Sequence, residues 1–175
     1  MIVTLTNGCT DFFEETITVL ENPASSFVIS NGCQGDEISL TNTSTVPATG
    51  TPSYSWNFGD GTSSTDENPS KLYEAPGTYS ITLTISVNGC EVSSNQDVVI
   101  SEKINIGFGE TINTCGVSLP LEAPLASTYR WFNPTSNFTI SNTQTYSITT
   151  NQEVGLEITS PAGCISRDTV QVQLL

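Results

Sequence analysis

The sequence contains no histidine in 175 residues. Without an imidazole there is no Ser-His-Asp or Cys-His relay, and the commonest zinc ligand is missing. Basic residues are nearly as scarce: Lys71, Lys103, Arg130 and Arg167 stand against 18 acids, for a net charge of −14. Such a surface repels nucleic-acid phosphates and anionic bilayers, so nucleic acid is excluded as a partner. No apolar run approaches the roughly 20 residues that cross a membrane, which argues against membrane insertion. No secretory leader is visible either, and the expectation is an excerpt whose targeting segments lie elsewhere. Acids that adjoin in sequence, Asp36 with Glu37 and Glu14 with Glu15, would point to opposite faces of a strand, so no acid–base pair can be nominated. The expectation is a chain that is not an enzyme and holds no cofactor.

What is present is alternation. From Thr78 to Val87 the chain interleaves Thr and Ser with Tyr79, Ile81, Leu83, Ile85 and Val87, a period of two that sends every apolar side chain to one face of a long, half-buried strand. Upstream, Trp56 and Phe58 stand two apart before Gly59-Asp60-Gly61. Two glycines supply backbone angles that other residues resist, and an aspartate between them accepts nearby backbone N–H groups and sets the turn. Charged residues make up only 13% of the chain and are dispersed, unlike an acidic disordered tail. The Ser/Thr/Asn-rich, Lys-poor composition with five cysteines leans towards an oxidising, extracellular setting.

The series Trp56, Phe58-Gly59-Asp60-Gly61, Asn68-Pro69, Tyr73 and Pro76-Gly77-Thr78-Tyr79, followed by an alternating strand, closely resembles the PKD domain, an immunoglobulin-like β-sandwich of about 80 to 90 residues. Two positions depart from the pattern, Asn57 where many PKD domains carry Asp and Lys71 where many carry His, so roles tied to those residues are not carried over. The resemblance implies structural work for Trp56, Phe58, Gly59, Asp60, Gly61, Pro76 and Gly77, and a tyrosine corner at Tyr79 whose hydroxyl bonds backbone near the preceding turn. Asp60 with Asp66 and Glu67 also has a calcium reading, because hard cations want clustered oxygens; the spacing fits no EF-hand, and the turn role is preferred.

One layout occurs three times: an alternating strand, a turn ending Gly-Cys, an acidic residue and a second alternating strand. The copies are Val3-Thr4-Leu5 through Gly8-Cys9 to Ile17-Thr18-Val19, Ile81 to Val87 through Gly89-Cys90 to Val98-Val99-Ile100, and Leu156-Glu157-Ile158 through Gly163-Cys164 to Val170-Gln171-Val172. Each reads as the closing hairpin of a sandwich. Trp56 precedes Cys90 by 34 residues and Trp131 precedes Cys164 by 33, which puts Trp131 at the equivalent core position. The expected organisation is all-β: tandem immunoglobulin-like, PKD-type sandwiches end to end. Residues 1–22 are the closing hairpin of a truncated upstream repeat, residues 23–101 a PKD domain, and residues 102–175 a divergent PKD or immunoglobulin-like domain.

Within each complete unit one cysteine precedes the second strand (Cys33, Cys115) and one follows the penultimate strand (Cys90, Cys164). Pairing in sequence order would join Cys33 to Cys90 and Cys115 to Cys164. In a sandwich of this kind those two positions lie at opposite ends, on the order of 30 Å apart, whereas a disulfide needs Cα atoms within about 7 Å. Between domains strung end to end the two positions face each other, so Cys33 reaches Cys164, and Cys9, Cys90 and Cys115 await partners in other repeats. Intradomain pairing stands as the alternative if the segment before the second strand folds back along the sheet.

The reading that follows is a non-catalytic structural or adhesive segment of a long extracellular protein, a semi-rigid stalk whose partners are neighbouring repeats and a surface polysaccharide or another surface protein. The repeat style resembles large cell-surface proteins of Bacteroidetes-type bacteria, which implies a gliding-motility adhesin exported by type IX secretion. The alternative is an accessory substrate-binding module of a secreted polysaccharide- or protein-degrading enzyme. Trp56 and Trp131 would have to face solvent to stack on sugars, and their place on a central strand favours packing. The loops Thr43 to Ser53 and Pro134 to Asn142 offer only Phe138 as an aromatic.

Overall fold

A computed structural model describes residues 22–30 and 32–175, and of residues 1–21 only the backbone of two short strands. These are β1 (Ile2–Thr4) and β2 (Thr10–Phe12), paired antiparallel with Val3 opposite Asp11. The expected closing strand Ile17 to Val19, Cys9 and the Glu14–Glu15 pair lie outside the described residues. All regular elements among the described residues are strands.

The first unit comprises β3 (Phe27–Ile29), β4 (Gly32–Cys33), β5 (Glu37–Asn42), β6 (Ser53–Asn57), β7 (Ser63–Ser64), β8 (Ser70–Leu72), β9 (Gly77–Val87) and β10 (Cys90–Ser101). They form a five-stranded sheet in the order β4-β10-β9-β6-β7 and a three-stranded sheet in the order β3-β5-β8. The alternation in β9 does what a period of two requires: Ile81, Leu83, Ile85 and Val87 are buried, and the Thr and Ser between them are half-exposed. Asn88 and Gly89 both adopt positive φ (53° and 81°), the two-residue turn that suits the right-handed twist of a hairpin, and Val87 lies opposite Cys90. Phe27, Ile38 and Leu40 close the core from the other sheet, with Phe27 meeting Trp56 edge-on at 5.1 Å between ring centroids.

The second unit follows the same plan with β11 (Thr111–Thr114), β12 (Leu119–Glu122), β13 (Thr128–Phe132), β14 (Thr139–Ser141), β15 (Thr145–Ile148), β16 (Gln152–Thr159) and β17 (Ile165–Leu174). Its large sheet, β11-β17-β16-β13-β14, matches the first strand for strand, and a pair β12-β15 faces it. Trp131 lies opposite Leu156 as Trp56 lies opposite Leu83. Each indole N–H donates to a loop carbonyl at 2.8 Å, Trp56 to Asp66 and Trp131 to Thr143, so each ring is buried with its polar atom satisfied.

Residues 102–109 form no ladder, and the sequence reading places no element there. Yet Ile104, Ile106 and Phe108 pack on the second core, and Phe108 stacks on Trp131 at 5.7 Å, the part that Phe27 plays in the first unit. Gly107 and Gly109, at φ 66° and 76°, turn the chain out of extended geometry and break the strand pattern.

Candidate functional site

Polar chemistry gathers at the junction between the two units and at the turn around Asp60. At the junction, Cys33 and Cys164 form a disulfide with Cα atoms 5.7 Å apart. The fold delivers both halves. Cys33 lies opposite Ser101, where β4 runs parallel to the end of β10, and Gln34 donates its backbone N–H to the Ser101 carbonyl at 2.9 Å. Gly32 permits this approach, since a Cβ there would sit 2.3 Å from Ile100 Cδ1. Cys164 ends a tight turn after β16: Gly163 donates to the Ser160 carbonyl at 2.9 Å, Cys164 donates to Ser160 Oγ at 3.1 Å, and Gly163 takes φ 86°. Its sulfur lies 3.8 Å from the Ser101 carbonyl oxygen. Lys103 adds an ion pair with Asp36 across the same joint. Only Glu102 and Lys103 separate β10 from Ile104, which is already packed in the second core.

The intradomain alternative, Cys33 with Cys90 and Cys115 with Cys164, is not formed, and Cys90 and Cys115 are exposed free thiols. Cys90 opens β10 while Cys33 lies beside the residue that closes it. The length of that strand, on the order of 35 Å, keeps them apart.

Around Asp60 the chain builds a compact polar knot. Gly59 and Gly61 adopt φ 77° and 87°, and a Cβ at Gly59 would fall 2.7 Å from the Ser80 carbonyl oxygen. Asp60 Oδ1 accepts from Thr62 N–H at 3.0 Å and Thr62 Oγ1 at 2.6 Å, and Oδ2 meets Lys71 Nζ at 2.6 Å. Lys71 also lies 5.5 Å from the Phe58 ring centroid and 5.1 Å from that of Tyr73. Burial pushes the Asp60 carboxyl up, but the hydrogen bonds from Lys71 and Thr62 outweigh it and hold the pKa at about 2. Burial, with Asp60 and Tyr79 nearby, pushes the Tyr73 hydroxyl to about 12; that hydroxyl donates to the Phe58 carbonyl at 2.7 Å. Asn57, at a position that departs from the family pattern, accepts the Gly59 N–H at 2.9 Å. Lys71, at the other, reaches from β8 to the turn that carries Asp60, a contact that no local pattern in the sequence announces.

The remaining singled-out residues fall into structural places. Phe58 is buried, and Pro76 and Gly77 lead the chain into β9. Tyr79 donates its hydroxyl to the Ala75 carbonyl at 3.0 Å and stacks on Tyr73 at 4.0 Å. Asp66 and Glu67 do not join Asp60: Asp66 accepts from Ser64 Oγ at 3.1 Å, and Glu67 lies near Tyr54, whose pKa is raised by burial first and by Glu67 second. Among the described residues no three carboxylate or thiol side chains converge as a metal would need. Phe138 is 73% exposed, whereas both tryptophans are buried.

Comparison with known proteins sharpens this picture. The family model described as "PKD domain" matches residues 21–101. Collagenase ColA of Bacillus cereus is 47% identical over 47 residues, which are 27% of this chain and 5% of the collagenase, so the chain spans a small part of that relative's length. Similar solved structures include two bacterial PKD domains. The PKD1 domain of Vibrio anguillarum Epp has 24% identity and TM-score 0.44, with 49% of this chain and 100% of that one covered. The PKD1 domain of the Vibrio cholerae metalloprotease PrtV has 29% identity and TM-score 0.42, with 46% and 99% covered. With the Phe58-Gly59-Asp60-Gly61 turn, the tyrosine corner and the buried Trp56 in place, residues 21–101 are a PKD domain of immunoglobulin-like fold.

Proposed function

We propose that the chain is a load-bearing, non-catalytic segment of an extracellular stalk, in which tandem sandwiches hold a binding tip away from a cell surface. The disulfide across the junction carries this reading. A covalent bond from Cys33 to Cys164 limits bending where two domains would otherwise swivel, and encloses most of both cores in one loop. Under tension between the termini the load passes through the sulfurs and bypasses that loop. A disulfide persists in an oxidising compartment, which supports an extracellular setting. The finer reading is a cell-surface adhesin of the gliding-motility kind, exported by type IX secretion, with neighbouring repeats and a surface polysaccharide or surface protein as partners. It is supported by the repeat style and acidic, Thr/Ser-rich composition of the sequence.

Single-molecule stretching tests the stalk. With the bond intact, the stretch between the cysteines, a sequence separation of 131, stays out of the extended length; reduction should release roughly 430 to 470 Å more. Equal lengths in both states would sink the reading.

A second reading draws on the collagenase likeness: an accessory module that holds a secreted enzyme against its substrate. Retention of the chain on one member of a panel of polysaccharides and fibrous proteins, at micromolar affinity, would favour it. Passage over all of them would leave the stalk.

A further inference from the structure

We propose that Cys90 and Cys115 are the two open halves of the bond that Cys33 and Cys164 already make, and that each takes the complementary cysteine of an adjoining sandwich of the same kind. The argument is positional. Cys33 ends a short edge strand that runs parallel to the last strand of its sandwich, opposite Ser101. Cys115 directly follows β11, another short edge strand parallel to the last strand of its sandwich, with Thr114 opposite Leu174 and the Thr114 carbonyl accepting Leu175 N–H at 2.9 Å. Cys90 and Cys164 each follow a glycine at nearly the same left-handed angle, φ 81° at Gly89 and 86° at Gly163, in the turn before the last strand.

A second relation holds independently. Cys164 lies beside the chain as it leaves the preceding sandwich for its own, 3.8 Å from the carbonyl oxygen of Ser101, the last residue of β10. Cys90 likewise shares a groove with Asn22 and Pro23, the residues entering the first sandwich. Each free thiol therefore stands where its counterpart in the same chain is bonded across a junction, and both are exposed. The end that bears Cys115 also exposes an apolar side chain two residues on, Val117, at 89%. A domain seated on that end would cover it and bring its turn cysteine to Cys115.

The chemistry is thiol–disulfide exchange with a small-molecule disulfide, here oxidised glutathione. The Cys90 thiolate attacks it, forming a mixed disulfide and expelling one glutathione thiolate. The Cys115 thiolate of the next molecule then attacks the Cys90 sulfur, forms the Cys115–Cys90 bond and expels the second. One glutathione disulfide is reduced to two thiols, which take up the two protons the cysteines release. The inference rests on the reading of the chain as a segment of an end-to-end array, but its test probes the geometry of the two ends and applies no load.

The full chain carrying Cys9→Ser is prepared with either Cys90→Ser or Cys115→Ser, one of the two isotopically labelled. The pair is mixed and equilibrated in a glutathione buffer that leaves Cys33–Cys164 intact, as peptide mapping verifies. Intact mass under non-reducing conditions then counts the dimers. The expected result is a Cys115–Cys90 mixed dimer roughly tenfold above its statistical share relative to the two symmetric dimers, as a templated junction would raise the effective concentration of one thiol at the other. The chain retaining both cysteines should grow a ladder of linear multimers. A statistical mixture, an excess of symmetric dimers, or glutathionylated monomers alone would each overturn the proposal. None of these would alter the stretching result, so this inference and the stalk reading can fail separately.

Discussion

Asp60 joins a turn to a neighbouring strand with one carboxylate. Its bonds to Thr62 are two residues away, and its bond to Lys71 reaches a strand on the other side of the loop. Because the folded pKa of about 2 lies below the ordinary 3.8, this group contributes stability that is fully present above about pH 4 to 5 and is lost as pH falls towards 2. With the Asp60 side chain 22% exposed, solvent screening trims the contribution to about 1 to 2 kcal/mol. Urea unfolding of the native chain and of Asp60→Asn between pH 7 and pH 2.5 checks this. The variant should be weaker by that amount at pH 7, and the difference should shrink towards the acid end. A constant difference would mean that the charge is irrelevant and only the turn geometry matters. The turn role was legible from Gly-Asp-Gly alone, since it needs only atoms within a few bonds. The pairing with Lys71 was not, because strand placement decides it.

Among the elements, the two-residue strand β4 has consequences beyond its size. Its pairing with the end of β10 carries Cys33 to the junction, and Gly32 makes that pairing fit. In Gly32→Ala the new Cβ would lie 2.3 Å from Ile100 Cδ1 and 3.1 Å from Ile38 Cγ2, both on buried residues, so either the isoleucines shift or β4 lifts from β10. The expected cost is about 1 to 3 kcal/mol, with slower closure of Cys33–Cys164 during oxidative refolding, measured by quenched thiol alkylation. Unchanged closure with lowered stability would place the damage in the core alone. The long strands were easier to read than β4 or residues 102–109. A period of two over ten residues announces β9, whereas two residues carry no period, and Ile104, Ile106 and Phe108 are cut short by Gly107 and Gly109.

For the whole molecule, the loop closed by Cys33 and Cys164 is the dominant constraint. A crosslink spanning 131 residues restricts the unfolded chain by as much as about 5 kcal/mol on loop-closure arithmetic. Cys33→Ser/Cys164→Ser should therefore lower the thermal midpoint in calorimetry. The two sandwiches, each with its own core, should then unfold at separate temperatures. A midpoint that did not move would mean that the reduced chain keeps the junction closed by packing and the Lys103–Asp36 pair.

The sequence by itself determined the all-β class, the turn at Asp60 and the equivalence of Trp56 with Trp131. These rest on periodicity, turn chemistry and spacing, which act over a few residues or repeat from unit to unit. It narrowed the cysteines to two schemes and left both standing. Only the tertiary structure decided which sulfurs meet, that Lys71 faces Asp60, that Lys103 reaches Asp36 and that Phe108 covers Trp131. Each of those contacts depends on how sheets face and how one sandwich seats on the next. Such relations are set by the packing of surfaces distant in the chain, for which no local pattern stands proxy.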